Sequence, residues 1–287
     1  MTATDPDTAG LVADAAAAAA GVRIREVVDP RELGAVHGVF HSIWRSDPQD
    51  LPVTLTVLRA MTKSGNYVTA AYDGDRMVGA GVGFFGSPRS NELHSHITGV
   101  AAAAAGRGVG FALKLHQRAW ALLRGVSTIT WTFDPLVRRN AHFNLVKLAA
   151  TAAEYLPNFY GGMHDDINGG DDSDRLLVRW DLRCAEVTAA CAGTSAPRHA
   201  ETELARGAVV ALGRSEHGLP VAGSLDGRTV LVAAPCDIER LRPADPDRAR
   251  QWRTAMRDVL GTLMADGARV TGFDRAGWYV VTRGAAR

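Results

Sequence analysis

The chain has 287 residues, of which 46% are hydrophobic and 22% are charged, so it can bury a full core as one large domain with a smaller one. Its 32 lysine and arginine residues nearly balance 31 aspartate and glutamate residues, which excludes a strongly basic protein that coats nucleic acid or a membrane surface. We therefore expect no nucleic acid and no membrane among its partners, which should be small or local.

The cysteines and the first residues indicate the compartment. Cys184, Cys191 and Cys236 are an odd number, and their spacing matches no usual zinc or redox motif. We expect no metal site and a reducing, cytoplasmic environment. Residues 1–21 place acidic residues ahead of an alanine run, which fits neither a signal peptide nor a membrane span. We predict a disordered tail there, with a short surface helix as the alternative.

Regular structure is predicted to begin at Val22. Apolar and polar residues alternate over residues 22–28, which indicates a half-buried strand, and apolar residues recur at helical spacing after Pro30. A second helix is predicted over residues 53–62. Two apolar runs joined by Asp73-Gly74-Asp75 then predict an antiparallel hairpin.

Strands and helices alternate in the next segment. Strands are predicted in ELHSHITGV and STITWTFD, and helices in GFALKLHQRAWALLRG and RNAHFNLVKLAATAA. Two last strands are predicted in YLPNFYGGM and RLLVRWDL, on either side of a polar loop from His164 to Asp174. Residues 22–184 therefore form one predicted α/β (α+β) domain.

The C-terminal part is predicted as a linker and a smaller unit. Residues 185–206 are rich in Ala, Thr, Ser and Pro, which is typical of a linker. Residues 207–287 then contain strand patterns in TVLVAAP, ARVTGFD and WYVVTR and a long helix pattern in DPDRARQWRTAMRDVLGTLMADG. The apolar stripe of that helix is expected to pack on its own sheet. The alternative is a lid or a dimer arm, so a homodimer is a possible assembly.

The most informative stretch is the loop between the strand ELHSHITGV and the following helix. Gly106, Gly108 and Gly110 alternate there, and Arg107 adds a cation. Successive amides in such a turn can point at one ligand, and the helix N-terminus adds partial positive charge. This arrangement predicts a phosphate site, because side chains at these positions would block the approach.

Common nucleotide motifs fit this loop poorly. A P-loop needs Gly-Lys-Ser/Thr at the helix start, where this chain has Gly110-Phe111-Ala112. A dinucleotide motif needs a third glycine where this chain has Phe111 or Leu113, although Asp134 ends the next strand near the place of a ribose-binding acid. A tight turn without a ligand is a third alternative.

The run GVAAAAAGRGVGFAL resembles the acyl-CoA pyrophosphate-binding motif of the GNAT acetyltransferases, a strand ending in Val followed by Gln/Arg-x-x-Gly-x-Gly/Ala. Val100, Gly108 and Gly110 match, and Ala105 stands where Gln or Arg is usual. The resemblance covers residues 22–182, and WTFDPL with RNAHFNLVKL is similar to an uncharacterised bacterial branch of predicted acetyltransferases. It implies a mixed, mostly antiparallel central sheet flanked by helices, followed here by a small C-terminal α/β extension.

The resemblance also implies an activity, an acyl-CoA-dependent N-acyltransferase in which an amine attacks the thioester directly. The co-substrate would be acetyl-CoA or another acyl-CoA, and the acceptor a small-molecule or peptide amine. The amide of Val100 would contact the thioester or pantetheine, and Asn140 would contact pantetheine or cap a helix. The residues implied for the pyrophosphate are Gly106, Arg107, Gly108, Val109 and Gly110.

The proton acceptor departs from the family pattern. The usual carboxylate lies six residues before the strand-end valine, where this chain has His94. Counting by twos places His94, His96, Thr98 and Val100 on one side of the strand. An imidazole with a pKa near 6.5 would be a suitable base at neutral pH, so both histidines are candidates. The alternative is that they only pack on the sheet.

The general acid is harder to assign. The tyrosine that protonates the departing thiolate in many relatives corresponds to Leu145 here. Tyr155 and Tyr160 follow soon after, and Tyr160 is the candidate, with a packed aromatic as the alternative for each. The missing tyrosine and the missing Gln/Arg keep a second class open, a non-catalytic CoA-binding or protein-interaction module of the same fold.

Overall fold

A computed structural model describes residues 6–44, 53–161, 171–194 and 197–284 of the chain. Part of the predicted loop from His164 to Asp174, over residues 164–170, lies outside the described residues, as do the first five residues of the predicted tail.

The helices and strands follow in chain order. The helices are α1 (Pro6–Ala19), α2 (Pro30–Trp44), α3 (Leu55–Lys63), α4 (Val109–Leu123), α5 (Arg138–His142), α6 (Ala185–Cys191), α7 (Ala200–Ala205), α8 (Ile238–Ala244), α9 (Pro246–Met256) and α10 (Thr262–Ala265). The strands are β1 (Arg23–Glu26), β2 (Tyr67–Asp73), β3 (Arg76–Phe85), β4 (Glu92–Val100), β5 (Thr128–Phe133), β6 (Thr151–Leu156), β7 (Arg175–Asp181), β8 (Val209–Arg214), β9 (Pro220–Ala222), β10 (Thr229–Ala233), β11 (Arg269–Asp274) and β12 (Trp278–Thr282).

Two sheets organise these elements. The first has the strand order β1-β2-β3-β4-β5-β7-β6, and the second has the order β11-β12-β10-β8-β9. In the first sheet β4 and β5 are parallel, whereas β1–β2, β2–β3, β3–β4 and β6–β7 are antiparallel. The predicted fold class is therefore confirmed, both for the mixed, mostly antiparallel sheet and for the C-terminal α/β extension. Within the described ranges, no helix is long and apolar enough to cross a membrane.

The chain divides into two compact units at boundaries other than those predicted. Unit 1 is Met1–Trp131 with Asp181–Cys191, and unit 2 is Thr132–Trp180 with Ala192–Arg287. Unit 2 thus contains β6 and most of β7, which the sequence had assigned to the N-terminal domain.

Helix α2 forms one layer of unit 1. Its predicted apolar stripe is buried in a cluster with Val82 of β3 and Ile97 of β4, and the buried α2 members are Leu33, Val36, Val39 and Phe40. The hairpin predicted at Asp73-Gly74-Asp75 is confirmed by the pairing of β2 with β3. These contacts fix the strand that leads to the glycine loop.

The predicted disordered tail is wrong over residues 6–19, which form α1. Ala9 and Ala13 are buried, and α1 packs along α4. Because alanine has a small side chain, the helices can approach closely, although the segment carries little of the large apolar residue pattern that marks a packed helix. The N-terminal segment is therefore part of the core of unit 1.

Replacing Ala13 with aspartate should lower the free energy of unfolding by about 1–2 kcal/mol, because a charged group would lie in the α1–α4 contact without a partner. Urea denaturation measures the effect. The matched control is Ala15→Asp on the exposed side of the same helix, which should change stability by less than about 0.5 kcal/mol. Equal effects of the two substitutions would contradict the packed position of α1.

The predicted linker over residues 185–206 is also wrong, because it contains α6 and α7. Val187 and Ala190 of α6 are buried. In unit 2 the amide of Ala200, at the start of α7, donates to Asp274 Oδ2 at 2.6 Å. Burial and capping of this kind order an alanine-rich sequence whose composition is typical of a flexible segment.

Unit 2 is built around the second sheet. Strand β10 lies between β8 and β12, and four of its five residues are buried. The apolar stripe predicted on the long helix is buried, at Trp252, Met256, Val259, Leu260 and Leu263. This burial supports packing of the stripe in the core rather than an exposed lid or dimer arm.

The helix predicted in RNAHFNLVKLAATAA is only partly present. Helix α5 continues as a π-helical turn over Phe143–Lys147 and then stops, because Ala149 has a positive φ of 51°. The alanines that follow belong to β6, which pairs with β7, so the strand predicted in YLPNFYGGM begins earlier than expected. Strand pairing here overrides the helix propensity of alanine.

Candidate functional site

The glycine loop lies between β4 and α4, as predicted. Gly106 and Gly108 have φ values of +77° and +89°, in the left-handed region that glycine adopts without strain. A Cβ placed on either residue would meet no heavy atom of the described residues within 4 Å. The backbone conformation therefore requires these glycines, and the space beside them is open to a ligand.

Helix α4 begins directly after these glycines, at Val109. Gly108 is the N-cap, and as a glycine it offers no side chain to satisfy the first amides of the helix. The first hydrogen bond of the helix is donated by Ala112 N to Gly108 O at 3.0 Å. The N–H groups of residues 109–111 therefore have no acceptor within the helix. Free N–H groups and the helix dipole make this end suitable for an anion.

Arg107 is engaged by the protein itself. Its guanidinium pairs with Asp73 Oδ2 at 2.7 Å and donates to Ala20 O at 3.2 Å and to Gly21 O at 3.4 Å. These contacts join the loop to the β2–β3 turn and to the chain just after α1. The direct phosphate contact predicted for Arg107 stays a prediction, because these partners already engage its guanidinium.

Strand β4 has a free edge next to the loop. Its pairing with β5 runs from Glu92↔Thr128 to His94↔Thr130, whereas β4 itself continues to Val100. On the opposite edge the amide of Ala101 donates to Val78 O at 2.8 Å. Because successive amides of a strand point to opposite edges, the Val100 amide points to the edge that β5 does not cover in the described residues.

The predicted common face of His94, His96, Thr98 and Val100 is wrong, because β4 contains a bulge. Consecutive residues of β3 pair with Ser95 and Ile97, which leaves His96 as the extra residue. The alternation of side chains between the two faces of β4 is therefore interrupted at His96. As a result, residues an even number of positions apart on either side of the bulge no longer share a face.

The contacts on the two faces show the change. Ser95 Oγ accepts from Lys114 of α4, and Val100 packs in a cluster with other α4 residues, so these two side chains share the α4 face. His94 precedes Ser95 and lies on the other face, against Phe84, at a ring-centroid distance of 5.1 Å. His96 also contacts Phe84, at 5.8 Å.

The two histidines form a half-buried cluster with Phe84. Their ring centroids are 6.4 Å apart, and His94 Nδ1 is 3.2 Å from Thr130 Oγ1. Burial, then His96, then Lys114 lower the pKa of His94 to about 4. His94 is therefore neutral at physiological pH, and the expectation of a pKa near 6.5 is wrong for this residue.

Lys114 is a buried cation that the sequence analysis did not single out. Its Nζ donates to Ser95 Oγ at 2.9 Å and to Gln117 Oε1 at 3.2 Å and lies 3.6 Å from the Trp131 ring centroid. Burial lowers the pKa of Lys114 to about 7. The signal was a lysine between Leu113 and Leu115 in a strongly apolar helix pattern.

Lys114→Met should flatten the pH dependence of stability. Because the pKa of Lys114 is lower in the folded chain than in the unfolded chain, the unfolded chain binds more protons above pH 7. The free energy of unfolding therefore rises as pH rises above 7. Between pH 7 and pH 8.5 the unfolding free energy of the wild type should rise by about 1.5 kcal/mol more than that of the variant.

Urea denaturation at the two pH values measures this difference. Lys63→Met, at the exposed C-terminal end of α3, is the control and should keep the slope of the wild type. The same slope in Lys114→Met and the wild type would contradict a lowered pKa at Lys114.

The remaining predicted residues lie in unit 2. Tyr160 is 45% exposed, and its hydroxyl is 3.1 Å from Thr132 Oγ1. Tyr155 is buried and donates to Asp174 Oδ2 at 2.7 Å, which fits the alternative of a packed aromatic. Asn140 lies inside α5, whose N-cap is Val137, so the proposed capping role is wrong. The roles of Tyr160 as acid and of Asn140 as a pantetheine contact stay predictions.

Asp134 is unsuited to the ribose contact of a dinucleotide site. It is buried in unit 2, pairs with Arg242, and accepts from Arg253 Nη1 and Nη2 at 2.9 and 2.8 Å. Burial raises the pKa of this carboxyl, but Arg253 and Arg242 outweigh that effect and hold the pKa below its usual range. Two buried guanidinium groups thus occupy the oxygens that a ribose would need.

Comparison with known proteins gives structural neighbours only. No family model matches the chain, and no curated protein matches it. A protein assigned to the GNAT acetyltransferases from Desulfovibrio desulfuricans is 18% identical with a TM-score of 0.46, and the match covers 56% of this chain and 99% of that one.

Two further solved structures are similar. The ribosomal-protein-S18-alanine N-acetyltransferase of Escherichia coli is 14% identical with a TM-score of 0.45, and the match covers 57% of this chain and 96% of that one. YncA of Salmonella typhimurium, solved with acetyl-CoA, is 17% identical with a TM-score of 0.45, and the match covers 62% of this chain and 98% of that one. These three neighbours are described as acetyltransferases. In this chain the mixed, mostly antiparallel sheet and the glycine loop before α4 are the features that the sequence resemblance led us to expect.

Proposed function

We propose that this chain is a GNAT N-acyltransferase that transfers an acyl group from an acyl-CoA, with acetyl-CoA as the expected donor, to an amine of a small molecule or peptide. One observation carries the proposal, the continuity of two backbone features in unit 1. The uncapped amides at residues 109–111 adjoin the free edge of β4, on which the Val100 amide points outward.

The loop fits a pyrophosphate. The open space beside Gly106 and Gly108 admits a bulky anion, and the N–H groups at the start of α4 supply donors and partial positive charge. When bound, acyl-CoA supplies the thioester whose carbonyl carbon is attacked. Arg107 stabilises this site indirectly, because its ion pair with Asp73 holds the loop to the β2–β3 turn.

The free edge of β4 leads from the loop to the histidines. The six residues from Val100 back to His94 span about 20 Å of extended strand. Outward-pointing amides along this edge, beginning with Val100, are donors for the amide groups of an extended pantetheine arm. The loop, the edge and the imidazoles follow one another along β4 and its end, and this order supports the proposal because a phosphate, a linker and a reacting group follow one another in the same way in acyl-CoA.

The reaction forms a bond from the amine nitrogen to the acyl carbon and breaks the carbon–sulfur bond. The amine nitrogen loses a proton, and the departing sulfur gains one. We assign proton acceptance to His94, with His96 as its partner in the same cluster. From the sequence alone, Tyr160 is the proposed donor to sulfur and Asn140 a proposed contact to the pantetheine.

Two measurements test the proposal. Calorimetry with acetyl-CoA should show binding, and a panel of small-molecule and peptide amines should release free CoA. CoA should be quantified by chromatography rather than with a thiol reagent, because Cys236 is exposed and would react. No binding of acetyl-CoA by the folded chain would overturn the proposal.

A second candidate function is a non-catalytic CoA-binding or protein-interaction module. It is favoured by Leu145 in place of the usual tyrosine and by the low pKa of His94, which makes that imidazole a weak base. Binding of acetyl-CoA without CoA release across the amine panel would support this module and reject the enzyme.

A further inference from the structure

Unit 2 contains a cavity that lies entirely outside the loop and strand described above. Its volume is about 340 Å³, and every lining residue belongs to the segment 214–248. Cavities of this size hold small organic ligands. The cavity lies where the residues around α8 and the start of α9 meet the end of β8.

The lining carries an excess of positive charge. Arg214, Arg240 and Arg248 line the cavity together with a single carboxylate, Asp237. Arg240 lies 3.5 Å from that carboxylate, and Arg248 lies 3.3 Å from Asp245 outside the lining. Two arginines therefore already have acidic partners nearby.

Arg214 is held in place by neutral groups. Its Nη2 donates to Ala276 O at 3.0 Å, and its guanidinium lies 5.0 Å from the ring centroid of Trp278. Among the described residues, the ion pairs of this region do not include Arg214. The cavity thus presents a positioned cation that forms no ion pair with a carboxylate of the described residues.

The rest of the lining distinguishes an organic anion from a bare ion. Pro235, Leu241 and Ala244 provide an apolar wall, and the Cys236 thiol lies 3.8 Å from Arg214 Nη1. A guanidinium recognises a carboxylate through two parallel hydrogen bonds, while an apolar wall favours a short hydrocarbon part.

We propose that this cavity is a binding site for a small organic carboxylate, whose head pairs with Arg214 and whose apolar part packs on Leu241 and Ala244. The site is independent of the acyl-CoA loop, so it can be tested without any acyl-CoA. Cys236 provides the readout, because it lines the cavity and is exposed.

The first measurement is protection of the full-length protein. Butyrate should slow the alkylation of Cys236 by iodoacetamide, and butyramide, which has the same size but no charge, should not. Alkylation is followed by peptide mass spectrometry, with Cys184 as the internal reference. Absence of protection by butyrate, or equal protection by butyramide, would overturn the proposal.

The second measurement compares a charged with a neutral reagent. Because both reagents react with the same thiolate, the ratio of iodoacetate to iodoacetamide rates reports anion attraction and not the reactivity of the thiol. We expect this ratio at Cys236 to exceed that of N-acetylcysteine amide by about tenfold at low salt and to approach it at 1 M salt.

Variants identify the responsible cation. Arg214→Gln should remove both the high ratio and the protection by butyrate. Arg250→Gln is the control, because Arg250 lies on α9 outside the cavity, pairs with Asp247 and should leave both readouts unchanged. If Arg214→Gln does not fold, the wild type alone still tests the proposal. Its high ratio of iodoacetate to iodoacetamide rates should be lost at 1 M salt. A ratio at low salt equal to that of N-acetylcysteine amide would reject the proposal.

Discussion

Replacing Gly108 with valine should weaken acetyl-CoA binding by about 2 kcal/mol or more, which is roughly a thirtyfold increase in Kd. Gly108 has a φ of +89°, and a β-branched residue is strongly disfavoured there. The chain would relieve this strain by changing the turn, which would redirect the N–H groups of residues 109–111. The added side chain would also occupy the open space beside the loop. Calorimetry measures the change in Kd.

The matched control is Gly125→Val at the other end of α4. Gly125 also has a positive φ, +74°, and a Cβ there meets no heavy atom of the described residues within 4 Å. The two substitutions should therefore have similar costs in stability, but Gly125→Val should leave the Kd for acetyl-CoA unchanged. If folded Gly108→Val binds acetyl-CoA as tightly as the wild type does, the loop is not the pyrophosphate site.

Local sequence patterns predict the region around the glycine loop well. The limits of β4 are those of the run ELHSHITGV, since apolar and polar residues alternate there, and α4 begins after the loop and ends before Gly125. Glycine at positions of positive φ and a regular apolar stripe are local properties, which a single sequence displays directly.

The errors have a different origin, since they depend on contacts between distant segments. The alanines of α1 give almost no pattern, yet two of them are buried along α4. The alanines of β6 favour a helix, and only their pairing with β7 makes them a strand. The bulge at His96 depends on how β3 pairs with β4, so counting by twos along β4 fails there.

The properties of His94 are the clearest case of such dependence. Its position in the sequence identifies it as a candidate base, but its pKa is set by burial, by the extra residue at the bulge and by a lysine from α4. The apolar neighbours of Lys114 are a local signal of its burial, but no local pattern places this lysine near the imidazole of His94. The identity of the candidate residue could be predicted, and its strength as a base could not.

If His94 accepts the proton, His94→Ala should lower kcat about a hundredfold and leave the Kd for acetyl-CoA unchanged, which is the usual scale for loss of general-base catalysis. A base must be unprotonated to act, so with a pKa of about 4 His94 is ready throughout the physiological range. In the wild type, the fall of kcat/KM that reports His94 should occur as pH drops toward 4, and this acid limb should be absent in His94→Ala. Any rise near neutral pH then belongs to another group, such as the amine itself.

The neighbouring imidazole provides the control that separates the two histidines. Since His96 lowers the pKa of His94, His96→Ala should move the acid limb of kcat/KM to higher pH while His94 continues to accept the proton. All three proteins must be compared with the same amine, because its ionisation affects each profile in the same way. If His96→Ala abolishes turnover and His94→Ala does not, the proton acceptor is His96. Unchanged turnover in both variants would assign both imidazoles to packing around Phe84, and the amine would then lose its proton to water.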